Sequence, residues 1–243
     1  MGIFNLDSPF MKYANKFADL VFLNIVTVIC CIPIFTIGAS LTAMHTIVLK
    51  IYRDEESYVI RGFFKAFKEN FKQATIIWLI YLLLIIVLVL DFVYIKDYDL
   101  DLPKIINYAL IFIAIIGAFS LSWVFVLQSR YENKVFITIR NSLVVGASQF
   151  LYSIIMIILS IIPVLVAIFF PVTVPVCLSL GLTLPALLQA MLYGRVFDRL
   201  EGIDRKALKA QPPVDDGWTV EEIEEAPEEE ASTDVQVDEE KLD

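Results

Sequence analysis

Long uncharged runs divide this chain into blocks. Leu20 to Leu49 contains no Asp, Glu, Lys or Arg, Ile76 to Ile95 carries only Asp91, and Ile105 to Leu127 carries none. A further fifty-four consecutive uncharged residues extend from Asn141 to Gly194. The hydrocarbon core of a bilayer takes roughly 20 apolar residues per helix, so the last run holds two spans. Pro171 and Pro175 supply the break between them, because proline lacks an N–H and clashes with the preceding turn. Hydrophobicity within each block is continuous, whereas barrel strands alternate, and a helix satisfies its own backbone in lipid. The first block, thirty residues long, has Pro33-Ile34-Phe35-Thr36-Ile37-Gly38 in its middle. Proline restrains the residue before it and glycine frees the backbone after it. This predicts two helices joined by a short turn, with a single tilted, kinked span as the alternative. The expected fold is therefore all-α: a polytopic transmembrane bundle of six helices made from five apolar blocks. Their expected bounds are 11–32, 38–56, 59–95, 104–128, 135–170 and 173–200.

Composition agrees with lipid-facing surface. Hydrophobic residues make up 58% of the chain and charged ones 19%, with a mean hydropathy of +0.72, against about 45–50% apolar and about 25% charged in soluble domains. A cleaved signal peptide over residues 1–40 fits poorly, since such apolar regions span about 7–15 residues. Basic residues are unevenly placed. Residues 50–72 hold six Lys or Arg, 128–140 three and 195–209 five, whereas the opposite side has only Lys96 and Lys104, beside Asp97, Asp99 and Asp101. Lys and Arg accumulate in cytoplasmic loops, so fourteen against two predicts cytoplasmic placement of 50–75, 128–140 and both termini. From Gln211 onward there are fourteen Asp or Glu and one Lys. Such a segment cannot bury enough apolar surface to offset its ordering, and a disordered acidic tail is expected over 210–243.

Chemistry-bearing residues are few. The chain has one histidine, His45, placed on the second helix among Thr42 and Thr46. Intramembrane ionisable residues are functional candidates, but a histidine hydrogen-bonded to a neighbouring helix is the simpler reading. Asp91 lies where it can reach water at the outer end of its span. Cys30, Cys31 and Cys177 sit inside apolar blocks without zinc-site spacing and read as small hydrophobic residues. No phosphate loop, nucleophile elbow or HExxH pattern is present. No catalytic, cofactor-binding or metal-ligating set is expected, and no nucleic-acid partner. A membrane enzyme would require Asn24, His45, Gln128 and Gln189 to converge.

Two segments stand out. In Arg61-Gly62-Phe63-Phe64-Lys65-Ala66-Phe67-Lys68-Glu69-Asn70-Phe71-Lys72, the four Phe fall on one helical face and Lys65, Lys68 and Lys72 on another. That pattern suits an interfacial helix with rings in the acyl boundary and lysines at lipid phosphates. It also suits a cytoplasmic docking surface formed by Arg61, Phe63, Phe64, Lys65, Phe67, Lys68, Asn70, Phe71 and Lys72. The turn with Pro33, Thr36 and Gly38, followed by His45, is the other candidate. Its sequence from Thr36 to Ala43 is echoed from Ser179 to Ala186, and interrupted helices occur in transporters.

Asp7-Ser8-Pro9-Phe10-Met11, Pro33-Ile-Phe-Thr36-Ile-Gly38-Ala39 and the stretch from Arg61 to Ala74 resemble the YesL-like family of bacterial multi-pass membrane proteins of unknown function. Members are often encoded beside carbohydrate uptake transporters and sugar-utilisation enzymes. The resemblance implies a cell-membrane protein linked to sugar uptake or its regulation, and supplies no catalytic residues. The expectation is a non-enzymatic accessory protein whose partners are the lipid bilayer and a sugar transporter subunit or regulator, with homo-oligomerisation left open. A small solute transporter or channel is the alternative.

Overall fold

The computed structural model describes residues 9–53, 55, 58–97 and 104–202. The acidic tail, the connection at 98–103 and Asp7-Ser8 lie outside the described residues. Eight α-helices occur among the described residues, without a strand: α1 (Pro9–Cys31), α2 (Ile37–Arg53), α3 (Val59–Asp97), α4 (Lys104–Gln128), α5 (Val135–Ser148), α6 (Phe150–Phe169), α7 (Val174–Leu180) and α8 (Thr183–Leu200). Two 3-10 turns, Ile34–Thr36 and Pro171–Thr173, join α1 to α2 and α6 to α7.

Five helical stretches are long and apolar enough to cross a membrane: Ala14–Cys31, Ile34–Arg53, Val59–Ile95, Ile105–Gln128 and Phe150–Phe169. The pair Pro171–Leu180 and Thr183–Leu200, bent by 53°, is a broken span that would make a sixth, or a re-entrant loop. The first apolar block is thus two helices broken at Pro33, with Pro33 at φ −72° and ψ 119°. Thr36 replaces the lost ladder bonds, its hydroxyl lying 2.6 Å from the Cys30 carbonyl and 2.7 Å from that of Pro33. Trp78 Nε1 on α3 donates to the Ile34 carbonyl at 2.7 Å. Backbone freed at a break in lipid needs such partners.

Two helices differ from the expected bounds. The 135–170 helix divides into α5 and α6 at Gln149, where φ is −106° and ψ 44°. No proline marks this break; it is held by side chains. Ser153 Oγ donates toward the Gly146 carbonyl at 2.9 Å and receives Trp123 Nε1 of α4 at 2.8 Å. Gly146 lies so close to α4 that a Cβ there would stand 3.1 Å from the Phe119 carbonyl oxygen. The 173–200 helix likewise divides, into α7 and α8, at Gly181–Leu182. In contrast, Pro163 sits inside α6 without ending it.

The core lies where α2 and α8 meet α1, α4, α6 and the first turns of α3. Leu23, Ile47, Phe63, Trp123, Met156, Tyr193 and Phe197 are fully buried there. Small residues permit the close approaches. A Cβ on Gly62 would meet Ile47 Cδ1 at 2.9 Å, and one on Gly194 would meet the Tyr52 ring at 2.8 Å. Tight packing of this kind drives helix association in lipid, where burying apolar surface against protein gains little over lipid tails.

Candidate functional site

The first half of α3 positions the basic face. At 100° per residue, Arg61, Lys65, Lys68 and Lys72 fall within an arc of about 60°, and all four are exposed. None has an ion-pair partner among the described residues. On the opposite side of the helix Phe63 and Ala66 are buried and Phe67 packs against the same core. Phe63, Phe67 and Phe71 form a ladder of rings, with centroids 6.0 and 5.4 Å apart. The expectation that these rings sit in the acyl boundary is corrected for Phe63, which is wholly inside the protein, and Phe67, which packs on the core. An i, i+4 apolar row on a helix that docks beside α2 is drawn into the inter-helix seam. Phe64 remains half exposed beside the cationic row.

Asn70 also leaves the surface set. Its Nδ2 donates to the Ala66 carbonyl at 3.0 Å, and its Oδ1 accepts from Gln128 Nε2 at 3.0 Å. Thr138 on α5 faces Gln128 Oε1 at 3.4 Å, and Gln73 Nε2 donates to the Asn133 carbonyl. These contacts staple α3, α4 and α5 at one end, so the cationic row stands on a braced helix.

The turn forms a second constellation. Pro33 is exposed, while Thr36, Gly38 and His45 are buried. Gly38 is where α2 crosses α3: a Cβ would stand 2.6 Å from Trp78 Cβ and 3.0 Å from a ring carbon of Phe125. His45 Nδ1 lies 3.4 Å from Tyr193 Oη, with the rings edge to face at 5.8 Å. The structure thus places His45 against a neighbouring helix, two turns below Gly38 and apart from the basic face.

The four polar side chains an enzyme would need together are bonded to different partners. Asn24 binds the α7–α8 break, His45 meets Tyr193, and Gln128 meets Asn70. Gln189 Nε2 donates to the Met156 carbonyl at 2.9 Å and to Ser160 Oγ at 2.8 Å. Among the described residues no three His, Cys, Asp or Glu side chains gather as a metal set. Asp91 is half-buried. The three cysteines are free thiols, each partly buried.

Sequence reasoning missed one charged pair. Arg53 Nη2 lies 3.1 Å from Asp198 Oδ1, joining the last turns of α2 and α8, and both side chains are largely buried. The two residues stand 145 positions apart, so no helical spacing could have paired them. The only signal in the sequence is that both fall in the last turns of spans that run in the same direction. A cavity of about 550 Å³ lies between the far ends of α3 and α4, lined by Leu88, Val89, Phe92, Asn107 and Ile111 among others. Its lining is apolar apart from Asn107, which suits acyl chains better than a polar solute.

Residues 20–92, from within α1 to near the end of α3, match the family described as "Protein of unknown function, DUF624". No curated protein and no solved structure matches the chain. The matched stretch contains both the Pro33–Gly38 turn and the Arg61–Lys72 row, and the match is consistent with a YesL-like DUF624 family member.

Proposed function

We propose that this protein is a non-enzymatic accessory component of a carbohydrate uptake system in the bacterial plasma membrane, docking a transporter subunit or regulator through the Arg61–Lys72 row. One observation carries the reading. Four cations occupy one exposed face of α3 while Phe63 and Phe67 anchor the opposite face in the core. A rigid row of charge, unpaired among the described residues, is suited to steering and orienting an acidic partner surface. The excess of Lys and Arg at 50–72, 128–140 and 195–209 supports placing this row, and both termini, in the cytoplasm. The link to sugar uptake rests on the family resemblance. Interior polar groups support a scaffold, since Asn24, Gln128 and Gln189 are engaged in helix–helix bonds.

The test uses the full-length protein purified in mild detergent from its own membrane. Recovery of a sugar transporter subunit or regulator is expected, with loss on Lys65→Glu plus Lys68→Glu and an accompanying change in sugar uptake. Recovery of no such subunit, together with unchanged uptake in the double variant, refutes the proposal. The bent α7–α8 pair favours a second reading, a small solute transporter or channel. Solute flux in reconstituted liposomes is its test, and no flux over a sugar and ion panel counts against it.

A further inference from the structure

The bend between α7 and α8 is built around one side chain from another part of the chain. In a continuous helix the N–H groups of Leu182 and Thr183 would bond the carbonyls of Leu178 and Ser179. Here both N–H groups are directed instead to Asn24 Oδ1, at 2.9 and 3.0 Å. Asn24 Nδ2 donates to the Leu178 carbonyl at 2.7 Å. The amide is therefore inserted into the ladder, one of the recognised causes of a sharp kink. Asn24 is wholly buried in α1. One turn away, the Leu20 carbonyl accepts Thr183 Oγ1 at 3.0 Å. Four hydrogen bonds thus tie α1 to the joint.

The joint itself is weak by sequence. Pro185 lacks an N–H for the Gly181 carbonyl, and its ring is tolerated only because it falls in the first turn of α8. Gly181 folds tightly over the preceding turn: a Cβ there would lie 3.0 Å from the Cys177 carbonyl carbon. The two arms are unequally held. α8 buries Thr183, Ala186, Gln189, Ala190, Tyr193 and Phe197, among others. Neither α7 nor the 3-10 turn before it buries a single residue. Segments with few buried contacts open at low local free energy.

We propose that α7 is a lever hinged at Gly181–Leu182, with Asn24 as the latch that couples its angle to the position of α1. A slide of α1 by one residue, about 1.5 Å, would carry Asn24 and the Leu20 carbonyl out of register with the joint and release the arm. The device stands independently of the docking role proposed above.

The test is the distance between spin labels at Val172 and Leu200, both exposed, in full-length protein whose three cysteines have been replaced, reconstituted in nanodiscs. With arms of about 15 and about 27 Å at 1.5 Å per residue, straightening a 53° bend lengthens the end-to-end span by about 4 Å. The latched protein should give a single narrow distribution. Asn24→Leu should at least double its width and shift its mean toward the longer value. Asn24→Asp, which keeps the acceptor for both N–H groups, should stay near the parent. An unchanged distribution in Asn24→Leu overturns the latch. If that variant does not yield folded protein, amide exchange in the unsubstituted protein decides. Faster exchange over 174–180 than over 186–197 is expected, and equal protection of the two arms refutes a hinged lever.

Discussion

Alanine at Gly38 tests whether the first hairpin is held by close approach of α2 to α3. The new Cβ would stand 2.6 Å from Trp78 Cβ and 3.0 Å from the Phe125 ring, with the Ala74 carbonyl oxygen closer still. Carbon atoms rest at about 3.5–4.0 Å, so α3 must withdraw by about 1 Å. Overpacking of this kind costs about 1–3 kcal/mol. The same movement pulls Trp78 Nε1 off the Ile34 carbonyl, now 2.7 Å away, a loss of about 1 kcal/mol. Alanine regains up to about 1 kcal/mol of helix propensity, although less in the first turn of α2. The net expectation is destabilisation by about 2–3 kcal/mol. Gly117→Ala is the internal control, since its Cβ would meet only Leu84 Cδ2 at an ordinary 3.4 Å. Reversible unfolding in bicelles, followed by tryptophan emission, measures both. If Gly38→Ala unfolds within about 0.5 kcal/mol of the parent, or matches Gly117→Ala, the close-approach reasoning is wrong.

Other substitutions probe separate parts of the bundle. Phe63→Ala should cost about 3–5 kcal/mol as a core truncation, whereas Phe64→Ala, half exposed on the same turn, should cost under about 1 kcal/mol by the same assay. Arg53→Met should destabilise by about 1.5–3 kcal/mol, because it removes a charge-assisted hydrogen bond of 3.1 Å to the largely buried Asp198, and a double-mutant cycle with Asp198→Leu should show a coupling of about 0.5–3 kcal/mol. Trp123→Phe removes the donor to Ser153 Oγ and should cost about 1 kcal/mol, with increased amide exchange at Gln149–Ser153 as its local sign. Lys65→Glu with Lys68→Glu should leave unfolding within about 0.5 kcal/mol of the parent, which separates lost partner recovery from lost folding.

The sequence by itself determined the long helices and the turns at Pro33 and Pro171. In lipid each span has to satisfy its own N–H and C=O groups, so uncharged length marks a helix and Pro33 or Pro171 marks an end. It also determined the segregation of charge, since Lys and Arg are counted without reference to packing. What it could not assign was the facing of each helix. A soluble helix shows its buried side by contrast with polar residues, but here lipid and protein neighbours are equally apolar. Phe63 and Phe64 are indistinguishable in the sequence, yet one is sealed in the core and the other is half exposed. The same ambiguity concealed the break at Gln149 and the bend at Gly181–Leu182. Both are stabilised by side chains remote in sequence, Trp123 of α4 and Asn24 of α1, whose partners exist only once the helices have assembled. Tertiary structure decided these features because a buried polar group must find a partner wherever the chain brings one within hydrogen-bond reach.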